Sequence, residues 1–106
     1  MLPGRYLLVF VVMIWGINSV PAHAETIQVM IDKLVFLPAN IKAKVGDTVE
    51  WVNKDILAHT APVRGDWDVM IAASKSARLV LKKTGTFDYY CRFHPNMKGQ
   101  IIVTTE

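Results

Sequence analysis

The chain has one cysteine, Cys91, and so has no means of closing an internal disulfide. This is a strong constraint, because the chain is short and reads as exported. Arg5 precedes an unbroken apolar run from Tyr6 to Trp15. A polar break follows at Gly16-Ile17-Asn18-Ser19, and Ala22-His23-Ala24 has the small-x-small pattern of a signal-peptidase site. The run is well short of the roughly 18 residues that cross a bilayer. A cleaved leader over 1–24 is therefore expected rather than a membrane anchor, and no cysteine near the cut suggests a lipid-anchored start. Cleavage leaves one domain of 82 of the 106 residues, Glu25 to Glu106. A domain of that size is near the lower limit for a self-sufficient core and usually carries a staple. Disulfides are the usual staple outside the cytosol. A lone thiol there needs another reason: an intermolecular bridge, a reactive sulfur or a metal.

The rest of the chain reads as β-structure. Thr26 to Ile31 alternates, with Ile27, Val29 and Ile31 on one face. Phe36 to Asn40 reads as a connection around Pro38. Ile41 to Val45 alternates again and closes at Gly46-Asp47. Thr48 to Asn53 is a third segment, with Val49 and either Trp51 or Val52 inward. The chain turns at Lys54-Asp55 and resumes over Ala58 to Val63. Residues 64–76 are the least legible, with a turn at Arg64-Gly65-Asp66 and a strand or irregular loop after it. Ala77, Leu79 and Leu81 share a face, Thr86 to Cys91 is a strand, and Gln100 to Thr104 closes the chain. Seven or eight short strands without a helix predict a two-sheet, Greek-key β-sandwich.

Within this frame, Cys91-Arg92-Phe93-His94-Pro95-Asn96-Met97 places a thiolate, an imidazole and a thioether three residues apart, in a tight loop between strands. Zinc would take the first two donors but has little use for a thioether; the soft sulfur pair points to copper. Outside the leader the only other histidine is His59, in the segment after the Trp51 strand, which a sandwich can bring beside Cys91. Two imidazoles and a thiolate with a weak axial thioether form the type 1, or blue, copper arrangement. Met97, Cys91 and His59 would each, taken singly, read as ordinary buried residues. The joint pattern in a chain with one thiol selects them, whereas Met30 and Met70 keep the ordinary reading.

The chain resembles the cupredoxins, most closely the amicyanin type, with plastocyanin and pseudoazurin types more distant. The stretches that carry the resemblance are Val45 to Asn53, His59, Thr84 to Cys91, and His94-Pro95-Asn96-Met97-Lys98-Gly99. The short step from His94 to Met97 is the amicyanin form. The resemblance implies that His59 and Cys91 are buried ligands of one copper ion and Met97 the axial ligand. It implies that His94 reaches the surface within an apolar patch, for which Phe93, Pro95 and Pro62 are candidates, with Arg92 and Lys98 on the rim. Phe87 and Tyr89 would face inward beneath the metal. Two departures stand out. Thr60 occupies the place where the family commonly has an Asn that ties the ligand loops together, and the stretch from His59 to Cys91 is shorter than in typical amicyanins.

The expected function is a periplasmic carrier of single electrons, monomeric, meeting a dehydrogenase or a c-type cytochrome transiently. Without Arg5 the chain has 11 basic and 9 acidic side chains, a balance too mild for nucleic-acid binding. A site filled by protein ligands leaves no position for a substrate, which argues against an enzyme. Copper storage or delivery is the alternative. A thiol enzyme ranks last, since no orienting group for Cys91 is evident and Met97 would be unexplained.

Overall fold

A computed structural model of the chain describes residues 23–105; the expected leader lies, up to residue 22, outside the described residues. Nine strands run β1 (Thr26–Asp32), β2 (Val35–Leu37), β3 (Asn40–Lys44), β4 (Thr48–Asn53), β5 (His59–Thr60), β6 (Met70–Ile71), β7 (Ser76–Val80), β8 (Gly85–Cys91) and β9 (His94–Thr104). One sheet has the order β2-β1-β4-β7 and the second β3-β9-β8, with β5 and β6 forming a small ribbon. The chain passes from the first sheet to the second and back. Its two parallel pairs, β1 with β4 and β3 with β9, are therefore long-range. The all-β sandwich expected from the alternation is the fold observed.

The alternation acts as read: Val29, Ile31, Val49 and Trp51 point inward from the first sheet, and Phe87, Tyr89, Cys91, Ile101 and Val103 from the second. Of the two options at β4 it is Trp51, fully buried, that enters the core. Tyr89 receives the edges of rings from the opposite sheet, Phe36 with centroids 4.8 Å apart and Trp51 at 5.5 Å. Edge-on aromatic pairs of this kind contribute about 0.5–1.5 kcal/mol beyond their buried area. The cluster lies two residues from Cys91 and gives the thiol a rigid floor. Burial also pushes the Tyr89 hydroxyl up to about 12, so it stays protonated.

Two boundaries differ from the sequence reading. Phe36 and Leu37 form a strand rather than a connection, paired with β1 through Ile31↔Phe36. The hairpin between them turns at Lys33 and Leu34, whose φ angles are +53° and +63°. Two-residue hairpins need such left-handed positions, usually met by Asn-Gly; with Lys-Leu there the turn has no sequence signature. The last strand begins at His94, not at Gln100. Cys91 pairs with His94 across a two-residue turn, Tyr90 pairs with Lys98, and residues 95–97 bulge between those two pairs. Pro95 has no N–H to give to the ladder, which suits it to a bulge.

Candidate metal centre

Three elements bring the donors together. The β8–β9 hairpin presents Cys91 and His94 on either side of Arg92-Phe93. The ribbon supplies His59, paired with Ile71 across β5 and β6. His59 and Cys91 are fully buried, while His94 is half-buried. The Cys91 Sγ lies 3.6 Å from His59 Nδ1 and 3.9 Å from His94 Nδ1, and the three donors all fall within 4.8 Å of one another. Met97, buried at 3% exposure, lines one surface cleft with Leu34, Phe93, His94, Pro95 and Asn96. His59, Cys91 and His94 thus cluster at one end of the sandwich, and Met97 lines the cleft beside His94.

The surroundings prepare these donors. Asp55 Oδ2 accepts a hydrogen bond from His59 Nε2 at 2.9 Å, which turns Nδ1 towards the sulfur. A carboxylate on the far nitrogen of a ligand imidazole fixes the tautomer and raises its basicity. The same carboxylate accepts the N–H of Lys33 at 2.8 Å and of Leu34 at 3.1 Å, holding the left-handed turn. Burial acts to raise Asp55, but hydrogen bonds from Leu34, His59 and Lys33 outweigh it and keep the carboxyl below its usual range. Burial likewise acts to raise the Cys91 thiol. Hydrogen bonds from the backbone of Thr60, from His59 and His94, and from the backbone of Phe93 overcome it and bring the thiol down to about 6. The sulfur is therefore disposed to be a thiolate near neutral pH, the form that binds metals.

Asn53 secures the loop between β4 and the ribbon. Its amide nitrogen donates to the carbonyls of Leu57, Ile71 and Ala72, and its oxygen accepts the Asp55 N–H. Thr60, standing where the family commonly has Asn, ties the two ligand segments together: its Oγ1 accepts the Arg92 N–H at 2.9 Å.

Around His94 the apolar surface differs in membership from the sequence reading. Phe93, 53% exposed, and Pro95 belong to it, but Pro62 is buried beside Ala61 and Val63 and does not. Leu34, 43% exposed, takes its place in the cleft beside His94. Arg92 is not a free rim charge, since it pairs with both carboxylate oxygens of Asp68 at 2.9 and 3.0 Å. The poorly legible stretch forms a tight Val63–Trp67 bridge, and the Trp67 indole donates to the Ala61 carbonyl at 2.9 Å. Sequence reasoning missed Asp55, Asn53 and Leu34. Asp55, four residues before His59, carried the one usable signal, because carboxylates commonly back metal-binding imidazoles.

A family model described as a cupredoxin-like domain matches residues 5–103. The chain belongs to the cupredoxin-like family. Among similar proteins is an amicyanin of Paracoccus denitrificans, 33% identical over 73% of this chain and 64% of that protein. An amicyanin of Paracoccus versutus is 29% identical over 76% of this chain and 66% of that protein. The chain thus spans just under two thirds of the length of these two relatives. A plastocyanin of a Synechococcus strain is 35% identical over 80% of this chain and 78% of its own length. The crystal structure of Paracoccus versutus amicyanin superposes with a TM-score of 0.65 at 31% identity, covering 81% of this chain and 86% of that one. A reduced Cu(I) form of an amicyanin variant matches with the same score and identity. Within this cupredoxin-like frame, two imidazole nitrogens, a thiolate and a thioether constitute the donor set of a type 1 copper centre.

Proposed function

We propose that this chain is a periplasmic blue copper protein that carries single electrons, with one copper ion bound by His59, Cys91, His94 and Met97. The observation that carries this reading is the convergence of His59 Nδ1, Cys91 Sγ and His94 Nδ1 within 4.8 Å, with Asp55 engaging the other nitrogen of His59. When bound, copper supplies a one-electron couple. The residues supply its constraint. Cu(I) and Cu(II) favour different geometries, so ligands held by two sheets and the Asp55, Asn53 and Thr60 hydrogen bonds keep one compromise arrangement in both states. Buried His59 and Cys91 exclude water, and half-buried His94 offers the route for the electron between the site and a partner.

Leu34, Phe93 and Pro95 surround that route with apolar surface, suited to a brief encounter with a dehydrogenase or a c-type cytochrome. All four donors come from the protein, which leaves no position for a substrate and speaks for a carrier over an enzyme. Cleavage after Ala24 would deliver the domain to the periplasm.

The test is to load the exported protein with Cu(II) and record visible and EPR spectra before and after ascorbate. An intense blue band with narrow copper hyperfine splitting, bleached by ascorbate and restored by oxidant without loss of metal, is the expected result. A pale product, or copper lost to a chelator on each reduction, would sink the carrier reading and favour copper delivery.

A further inference from the structure

At the end of the sandwich remote from any role in the metal centre, one carboxylate is out of place. Asp47 is only 5% exposed, yet among the described residues it has no ion-pair partner. Its Oδ2 accepts the Lys44 N–H and its Oδ1 accepts the Glu25 backbone nitrogen, both at 2.9 Å. The carboxylate is held by two neutral backbone donors, and Lys44 acts on it only through space, without forming an ion pair.

Glu25 is the residue at which the expected mature chain begins. While the leader is attached, its nitrogen is an amide with one proton. Hydrolysis of the Ala24–Glu25 peptide bond turns that atom into an α-ammonium, with a full positive charge and three protons. We propose that Asp47 is a built receptor for the new N-terminus, so that removal of the leader creates an ammonium–carboxylate pair and locks β1 against the β3–β4 turn. This rests on reading Ala22-His23-Ala24 as the processing site. The geometry is already in place: the Glu25 carbonyl accepts the Thr48 N–H at 2.8 Å, Asp47 N–H bonds Lys44, and the Asp47 carbonyl accepts the Leu81 N–H at 2.8 Å. Three strands thus meet at Asp47, and nothing has to move for the charge to be received. Glu25, like His23 and Ala24, is exposed and precedes β1, but its backbone N–H and carbonyl are both engaged, by Asp47 and Thr48.

The consequence is directional. A precursor lacks the charge-assisted bond and folds somewhat less stably; the processed chain gains stability on cleavage. Charged hydrogen bonds are roughly twice as strong as neutral ones.

Two measurements test this separately. The intact mass of the exported protein reports where the mature chain starts; a start other than Glu25 overturns the proposal at its premise. Urea unfolding then compares the mature protein with the same chain acetylated on the Glu25 nitrogen, each with Asp47 and with Asp47→Asn. Free Glu25 should raise the folding equilibrium constant roughly 3- to 10-fold, and the gain should vanish in Asp47→Asn. An equal stability of free and acetylated chains, or a gain that persists without the carboxylate, overturns the docking. Should Asp47→Asn not fold, the pH dependence of the free-versus-acetylated difference decides. The pairing raises the folded α-amino pKa, so the gain is complete below its unfolded value of about 8. It is then lost as pH rises through the folded value, and a gain that does not fall with pH overturns the proposal. Lys42 and Lys44 on β3 and the Glu25 carboxylate neighbour the pair, Lys82 follows Leu81 in sequence, and Thr104 on β9 does not titrate. All are present in both chains and cancel in the comparison.

Discussion

The Thr60 hydroxyl oxygen accepts the Arg92 backbone N–H at 2.9 Å across 32 residues of sequence, joining the ribbon that bears His59 to the turn between Cys91 and His94. The bond links the two halves of the site directly, and Thr60 is fully buried. Replacing it by Val keeps the shape and removes the acceptor. We expect Thr60→Val to cost about 1 kcal/mol in urea unfolding. The copper hyperfine splitting should broaden as the two ligand segments loosen; an unchanged EPR spectrum would show that the tie is dispensable.

Asp55 acts on the same histidine from the other side. Asp55→Asn keeps the volume but can present its NH2 to His59, removing the acceptor that sets the tautomer. Copper affinity measured by competition with a chelator should fall about 10- to 100-fold, the usual effect of losing such a partner. Unchanged affinity would mean that packing alone orients His59.

Cys91 and Met97 should separate in their effects. Cys91→Ser removes the thiolate and should abolish the blue band. Met97→Ala should retain copper and colour but change the midpoint potential, since the axial donor tunes the couple rather than holding the ion. Because Met97 is buried, the same change should cost about 2–5 kcal/mol of stability. Voltammetry together with thermal unfolding resolves the two effects.

Gly99 lies over the ring of Tyr89: a Cβ there would be 2.2 Å from Cζ and 2.4 Å from the hydroxyl oxygen. Tyr89 is wedged against Phe36 and Trp51 and cannot retreat. Gly99→Ala should therefore destabilise by about 1–3 kcal/mol, as overpacking does. The midpoint of urea unfolding measures it, and a cost near zero would mean that the aromatic cluster is looser than its packing implies.

Acid should find Asp47. The backbone N–H groups of Glu25 and Lys44 hold its carboxyl below the ordinary 3.8. A group with a lowered folded pKa stabilises the protein above its unfolded value and loses that contribution as pH falls through the folded one. Metal-free protein should hold its Tm down to about pH 4 and lose it progressively below, and Asp47→Asn should flatten that part of the curve. An identical acid limb in wild type and variant would count against Asp47 as a source of acid sensitivity.

Much of this protein is written locally. Alternation in Thr26 to Ile31, Thr48 to Asn53 and Thr86 to Cys91 specifies which faces are buried, because a strand repeats every two residues whatever it pairs with. The Cys-x-x-His-x-x-Met spacing names three donors, because residues so close in sequence cannot lie far apart. What the sequence alone could not determine is long-range. The hairpin at Lys33-Leu34 lacks turn residues, and its left-handed backbone is held by Asp55, more than 20 residues away. Pro62 has the same chemistry as Pro95, yet it is buried between Ala61 and Val63 whereas Pro95 is exposed. Leu34 became part of the surface beside His94, and Thr60 the tie to Arg92, only when the sheets packed. Side-chain periodicity is a property of one strand, whereas the surroundings of a metal site depend on which strands meet. Tertiary structure alone decided that.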